Sequence, residues 1–125
     1  MQESGQTYLV TIYLLNREKG RVRSVDVARA LSVSKPSVCR ATGKLKEKGY
    51  LEDNEGLDLV LTKEGNRLAK CLVDRQETIT QFLMMTADVS LETAEEDAKR
   101  MAHCLSEKTW KGIREFIRRV EEMNA

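Results

Sequence analysis

At 125 residues and 41% hydrophobic side chains, the chain is long enough for one compact unit or two small lobes sharing an interface. Its formal charge of +1 gives no global signal for nucleic acid. A single histidine, no Gly-rich phosphate loop and no Ser/His/Asp or paired-carboxylate arrangement argue against an enzyme. No apolar run approaches the ~20 residues of a membrane span and no signal-peptide pattern is present, so the expected setting is a reduced cytoplasm with no membrane partner.

Residues 6 to 15 (QTYLVTIYLL) predict an apolar, aromatic-bearing first helix ending near Asn16 to Gly20. Next, Val25, Val27, Ala28 and Leu31 recur at the spacing that puts apolar side chains on one helix face, with Ser24 as the expected N-cap. Ser32-Val33-Ser34 reads as a short turn that tucks a valine between two helices. Ser34 caps the next helix, and Pro36 lies in its first turn, where a missing N–H costs nothing. Val38, Ala41, Thr42 and Leu45 form the inward face of that helix. Ser37, Arg40, Lys44 and Lys48 fall outward, and Gly49 ends it. Tyr50-Leu51-Glu52 and Leu57 to Leu61 read as two strands around a turn-rich tip, Asp53-Asn54-Glu55-Gly56. Two helices joined by a tight turn and followed by a hairpin are the winged helix-turn-helix layout, whose main use is to place one helix in the major groove of DNA.

Thr62 is the expected cap of a long helix over about 63–85, with Leu68, Cys71, Leu72, Ile79, Phe82 and Leu83 on its inner face. Ala87-Asp88-Val89-Ser90 breaks the pattern. Ser90 caps a helix from Leu91 to about Leu105 that is acidic at its start, as the helix dipole favours. Ser106 caps the last helix, where Trp110, Ile113, Ile117 and Val120 form a stripe. Such a stripe serves as core or as a dimer seam, and Trp110, Ile113 and Ile117 are the candidate dimer residues. The expected fold is mainly α with a small β-hairpin wing. Residues 1–71 form a winged helix-turn-helix DNA-binding domain and 72–125 a helical dimerisation domain, linked by the continuous long helix.

Charge is distributed unevenly. Arg21, Arg23, Arg29, Lys35, Arg40, Lys44, Lys46 and Lys48 face only Asp26 and Glu47 between positions 21 and 48. A basic face is often only solvated, but here it coincides with a reading helix, the footprint expected of a DNA contact. Cys39, Cys71 and Cys104 lack CxxC spacing and are expected to be small buried or half-buried apolar residues, although an adduct at Cys39 would sit on the reading helix.

Taken in order, TYLVTIYLL, SxPSV, KLxxxGYL, LVLTxxG, RxxxxxQFL and HxLS make the chain, from about Thr7 to Phe116, resemble the diphtheria-toxin-repressor and manganese-transport-regulator family in its short, two-domain form. The QFL and HCLS segments single out this family, because GYL…LVLTKEG is shared by many winged helices. The resemblance implies a homodimeric transcription regulator. It also implies a divalent metal (Mn, Fe or Zn) bound between the lobes that licenses DNA binding.

At the positions where the resemblance places ligands, this sequence departs from the pattern. Thr7 and Val10 stand on the first helix, and Gln76 stands where the connecting helix carries histidine. Lys99-Arg100-Met101-Ala102-His103 replaces the ExxEH or CxxEH segment, so that only His103 survives. A lysine near a cation opposes it, and one imidazole does not make a site. Lys99 would put a fixed positive charge where the family holds an ion. Cys104, Glu95 and Asp97 are weak substitutes for a remodelled site, but adjacent helix residues such as His103 and Cys104 point about 100° apart.

The expected function is therefore sequence-specific binding of double-stranded DNA by a homodimeric regulator, acting as a repressor, with its inherited metal switch lost. The alternatives are a metal-dependent regulator with a remodelled site and a winged-helix protein-interaction module. Ser34, Pro36, Ser37 and Arg40 are the expected base-proximal residues, with Arg40 suited to a bidentate contact with guanine. Lys35, Lys44 and Arg23 are the expected phosphate anchors.

Overall fold

The structure, a computed structural model, describes the backbone of residues 3–125 and the side chains of residues 5–125. Among the described residues six helices follow in order: α1 Glu3–Lys19, α2 Ser24–Leu31, α3 Lys35–Glu47, α4 Lys63–Ala87, α5 Leu91–Cys104 and α6 Glu107–Met123. The chain divides into two compact units, Met1–Cys71 and Leu72–Ala125, with α4 beginning in the first and ending in the second.

In the first unit α1, α2 and α3 pack on one another around Leu9, Ile12, Val22, Val27, Val38, Leu45, Leu51, Leu59 and Ala69. Helix α1 begins before the apolar run from 6 to 15 and ends at Lys19, within the Asn16 to Gly20 stretch where its end is expected. The α2–α3 turn is held by Ser32 in the left-handed region at φ 54°, with the Val33 N–H on the Ala28 carbonyl at 3.1 Å. Val33 packs against the core, as the turn requires.

Helix α3 starts on Ser34, whose Oγ accepts the Ser37 N–H at 3.3 Å, and Pro36 lies in its first turn. It ends on Gly49 at φ 83°. There the Gly49 N–H reaches the Lys46 carbonyl at 3.1 Å and the Tyr50 N–H reaches the Leu45 carbonyl at 2.9 Å, a Schellman termination.

Several expectations are corrected. Ser24 is not the cap of α2 but its first residue. Arg23 takes the cap position in extended conformation, and the Asp26 carboxylate accepts the Arg23 N–H at 2.8 Å. Val25, expected on the inward face, is largely exposed, while Val27 is fully buried.

The two strands of the hairpin are absent among the described residues, which hold only isolated antiparallel bridges, Leu51 with Leu61 and Arg23 with Asp58. The cause lies in the returning segment, which serves two neighbours. Near Leu61 it pairs with the outgoing chain through Glu52 N–H to Val60 O (2.8 Å) and Thr62 N–H to Tyr50 O (3.1 Å). At Leu59 it pairs instead with Val22, N–H to O at 2.7 Å, so neither ladder grows.

Thr62 caps α4 as read from the sequence. Its Oγ1 accepts the Gly65 N–H at 3.0 Å and donates to the Gly49 carbonyl at 2.6 Å.

In the second unit, Ile79 of α4, Ala98 and Ala102 of α5 and Trp110 of α6 form the core, with Leu83, Met101 and Leu105 packed against it. Ser90 and Ser106 cap α5 and α6 by accepting the N–H groups of Thr93 and Thr109, each at 3.2 Å. Ala94, Ala98 and Ala102 recur every fourth residue and are all buried. Such small side chains let a neighbouring helix approach closely. Phe82 meets Phe116 edge to face, with ring centroids 5.8 Å apart.

Candidate nucleic-acid interface

The exposed side of α3 carries a connected polar row. Ser34 Oγ donates to Ser37 Oγ at 2.9 Å, and Arg40 Nη2 donates to the same oxygen at 3.3 Å. Because Ser37 Oγ accepts twice, its own proton is left to donate outward. The guanidinium of Arg40 spends one N–H on this contact and keeps the others for a ligand. Lys35, Pro36 and Lys44 are exposed along the same helix.

The spacing explains the row. Positions 34, 37, 40 and 44 advance by three or four residues, so they stack on one side, opposite the buried Val38, Thr42 and Leu45. Thr42 stays satisfied in that core by donating to the Cys39 carbonyl at 3.2 Å. No acidic residue lies in the first turn of α3, and its last turn holds Lys44 and Lys46. The positive end of the helix dipole thus adds to Lys35 rather than being neutralised. A 13-residue helix spans about 20 Å, and with its side chains it is as wide as the major groove, about 12 Å.

Arg23 stands apart from this row. It bridges to Asp58, and Asp58 also holds Arg21, a partner that the sequence reading did not single out. Arg21 Nε and Nη2 donate to Asp58 Oδ2 and Oδ1 at 2.9 and 3.4 Å, and Arg23 Nε donates to Oδ1 at 3.4 Å. The Arg21 hydrogen bond holds the Asp58 carboxyl below the usual carboxylate range, aided by the charges of both arginines and offset in part by desolvation. The signal that could have found this cluster is the lone acid in LDLVL, set among apolar residues.

The cysteines correct another expectation: Cys39, Cys71 and Cys104 are all exposed. Each sits one helix step from a more buried neighbour, Val38, Leu72 and His103 respectively, and a step of about 100° is enough to turn it outward.

Trp110, Ile113 and Ile117 are buried within the single chain. Arg75 lies over the Trp110 ring at 5.0 Å and pairs with Glu107 at 2.7 Å, while Arg114 lies 5.9 Å from the ring. The exposed apolar residues of this unit are Met84, Met85, Leu91, Phe116 and Met123.

The positions at which the family resemblance places metal ligands are occupied as follows. Thr7 is exposed, Val10 is buried, and Gln76 is half-buried. Lys99 is exposed, Ala102 lies in the core of the second unit, and His103 is half-buried. Of the substitutes, Asp97 is held by Arg100 at 2.7 Å, while Glu95 and Cys104 are exposed. Among the described residues no three His, Cys, Asp or Glu side chains are grouped so as to hold a metal ion. At the inherited positions Val10 and Ala102 carry no donor atom and Lys99 carries a positive charge, so these side chains do not supply a family-type donor set. No helix among the described residues is long and apolar enough to cross a membrane.

A capped, basic reading helix presented by a three-helix unit, with a separate helical unit downstream, defines a helix-turn-helix DNA-binding protein. Comparison with known proteins carries this further. Residues 1–57 match the iron dependent repressor N-terminal DNA binding domain, and residues 62–123 match the iron dependent repressor metal binding and dimerisation domain. The chain belongs to the iron-dependent repressor family, and is a DNA-binding transcriptional regulator rather than an enzyme.

It is 37% identical over 119 residues to the HTH-type transcriptional regulator MntR of Lysinibacillus sphaericus, covering 95% of this chain and 85% of that protein. It is 28% identical over 123 residues to an uncharacterized HTH-type transcriptional regulator of Methanocaldococcus jannaschii, covering 98% of each. Among solved structures, that of the manganese regulator SloR superposes with a TM-score of 0.81 at 25% identity, over 94% of this chain. The present chain spans 55% of the SloR chain, about half its length.

Proposed function

We propose that this regulator binds specific duplex DNA as a homodimer and represses transcription, and that its DNA affinity does not depend on a bound divalent metal. The observation that carries the second part is the residue set at the inherited ligand positions. Two of them, Val10 and Ala102, are buried apolar side chains, and a third, Lys99, is a cation. Neither a methyl group nor an ammonium can donate to a metal, and replacing a buried donor by a packed apolar residue removes the polar pocket itself.

Ser34, Pro36, Ser37 and Arg40 meet base edges in this reading, and Lys35, Lys44 and Arg23 meet phosphates. Residues 50–62 act as the wing, in an abbreviated form. Its tip carries Asp53 and Glu55, and these acids limit rather than add to affinity. Trp110, Ile113 and Ile117 shape the helical unit from within, and its exposed apolar residues, Phe116 among them, meet the second copy.

Selection of bound duplexes from a random pool tests the DNA reading. An enriched two-fold site with half-sites a helical turn or more apart supports it; recovery of random sequence in a salt-independent manner would remove it.

The names of the relatives, regulators called MntR and a manganese regulator, favour a second reading in which a remodelled site still binds metal. His103 with Cys104, Glu95 or Asp97 would have to supply it, and Asp97 is already engaged by Arg100. A chelator and metal-addition experiment separates the two readings.

A further inference from the structure

The cluster formed by Arg21, Arg23 and Asp58 has no part in the reading helix, yet it has the makings of an anion contact. Both arginine side chains are at the surface, 76% and 49% exposed, and Asp58 is 30% exposed. They line an open hollow of about 500 Å³, whose polar lining is Arg21, Arg23, Asn54 and Asp58. Two guanidinium groups converging on one carboxylate leave the cluster with a net positive charge of one. Their unused N–H donors have the planar fork geometry that suits phosphate oxygens.

Resting on the DNA-binding reading, we propose that Arg21 and Arg23 form a second phosphate contact beside α3, and that Asp58 is its internal competitor. In the free protein the carboxylate occupies guanidinium edges that a phosphate would take, and its charge repels that phosphate. The bridge between Arg23 and Asp58 and the bond from the Leu59 N–H to the Val22 carbonyl fix the backbone on both sides. The backbone therefore holds the carboxylate within reach of the arginines, and every phosphate must either displace it or share the forks with it. A surface ion pair of this kind is weak, so the exchange is allowed but not free. Asp58 on this account sets the level of affinity for all duplexes without choosing among sequences. Contacts to phosphate carry no sequence information.

The test is a thermodynamic cycle on the full chain. D58N, R21Q/R23Q and the triple variant are compared with wild type by fluorescence anisotropy on a selected duplex and on a random duplex, over a range of salt. The change from carboxylate to carboxamide in D58N is nearly isosteric and leaves both backbone bonds in place. D58N is expected to tighten both duplexes by about three- to tenfold and to steepen the salt dependence by about one unit of slope. R21Q/R23Q should flatten the slope by about one to two units, and on that background D58N should give less than about a twofold gain. Should D58N lower the melting temperature, the R21Q/R23Q slope alone decides, because those side chains are exposed.

An unchanged or weaker affinity for a folded D58N, an equal gain with the arginines absent, or an R21Q/R23Q slope like that of wild type would each overturn the proposal. Absence of duplex binding by wild type itself would remove the DNA reading, and the proposal with it; that outcome is distinct from a wild type that binds while its variants behave alike.

Discussion

Gly65 packs against Tyr50 so closely that a Cβ on the glycine would stand 2.0 Å from the Tyr50 carbonyl oxygen and 2.9 Å from its carbonyl carbon. The same carbonyl accepts the Thr62 N–H at 3.1 Å, so the start of α4 is keyed to the end of the α3 connection through backbone on both sides. The Tyr50 atoms it would meet are backbone, so no flexible side-chain end can give way. Gly65→Ala is expected to destabilise the first unit by about 2–3 kcal/mol, with a fall in melting temperature of about 5–10 °C. Thermal denaturation followed by circular dichroism checks this; a melting temperature indistinguishable from that of wild type would show that the approach is not real.

Two cations on α3 should fail in different ways. Arg40, linked to Ser37 at 3.3 Å, is the residue proposed to meet a base edge, whereas Lys44 lies a turn further along α3 and is proposed to meet phosphate. Arg40→Ala should lower affinity for the selected site by about 1–3 kcal/mol while leaving random duplex nearly unaffected, relaxing choice at one base pair. Lys44→Ala should weaken all sequences alike and reduce the salt slope by about one. Binding to a panel of single-base variants distinguishes them, and identical profiles would mean the assignment is wrong.

Trp110 and Ile113 are buried in one chain, so substitution there should act on folding before it acts on association. Ile113→Ala is expected to reduce stability by about 2–4 kcal/mol, and Trp110→Ala by about 3 kcal/mol or more, the latter also losing the Arg75 contact at 5.0 Å. Phe116→Ser, at a more exposed position, should instead shift the dimer to monomer at little change in helix content. Sedimentation at several concentrations together with circular dichroism separates the two behaviours.

Acid should lower stability along a predictable course. The Asp26 carboxyl is held below its ordinary range first by the Lys19 hydrogen bond and then by the Arg23 N–H; Asp58 is lowered by Arg21, Glu107 by Arg75 and Glu115 by Arg118. Each folded-state value is depressed, so the stabilisation is fully present above the ordinary carboxylate range. It is lost as pH falls through the lowered values, below about pH 4. Melting temperature should be flat from neutrality to about pH 5 and then decline. Asp26→Asn should lower the plateau and make the decline shallower. An unchanged slope in that variant would show that Asp26 does not contribute.

Local patterns make most of the fold legible in the sequence. The Ser34 cap, Pro36, the buried Val38, Thr42 and Leu45, the Gly49 stop and the caps at Thr62, Ser90 and Ser106 all follow from rules that act within one helical turn. What stayed hidden depends on distant partners. Asp58 lies 37 residues from Arg21 and draws the returning segment toward Val22, which is why the expected strands shorten to single bridges. The displacement of Ser24 by Arg23 as the α2 cap is instead local, because the Asp26 carboxylate three residues on accepts the Arg23 N–H at 2.8 Å. The cysteines were misplaced by composition, which favours burial, whereas the helical register of their neighbours turns them outward.

The most direct test of the central claim is the duplex affinity of the full chain, measured with a chelator and then with manganese, iron(II) or zinc added in excess. Metal-independent binding predicts dissociation constants that agree within about twofold across all four conditions. Affinity lost on chelation and restored stoichiometrically by one of the metals would contradict the account.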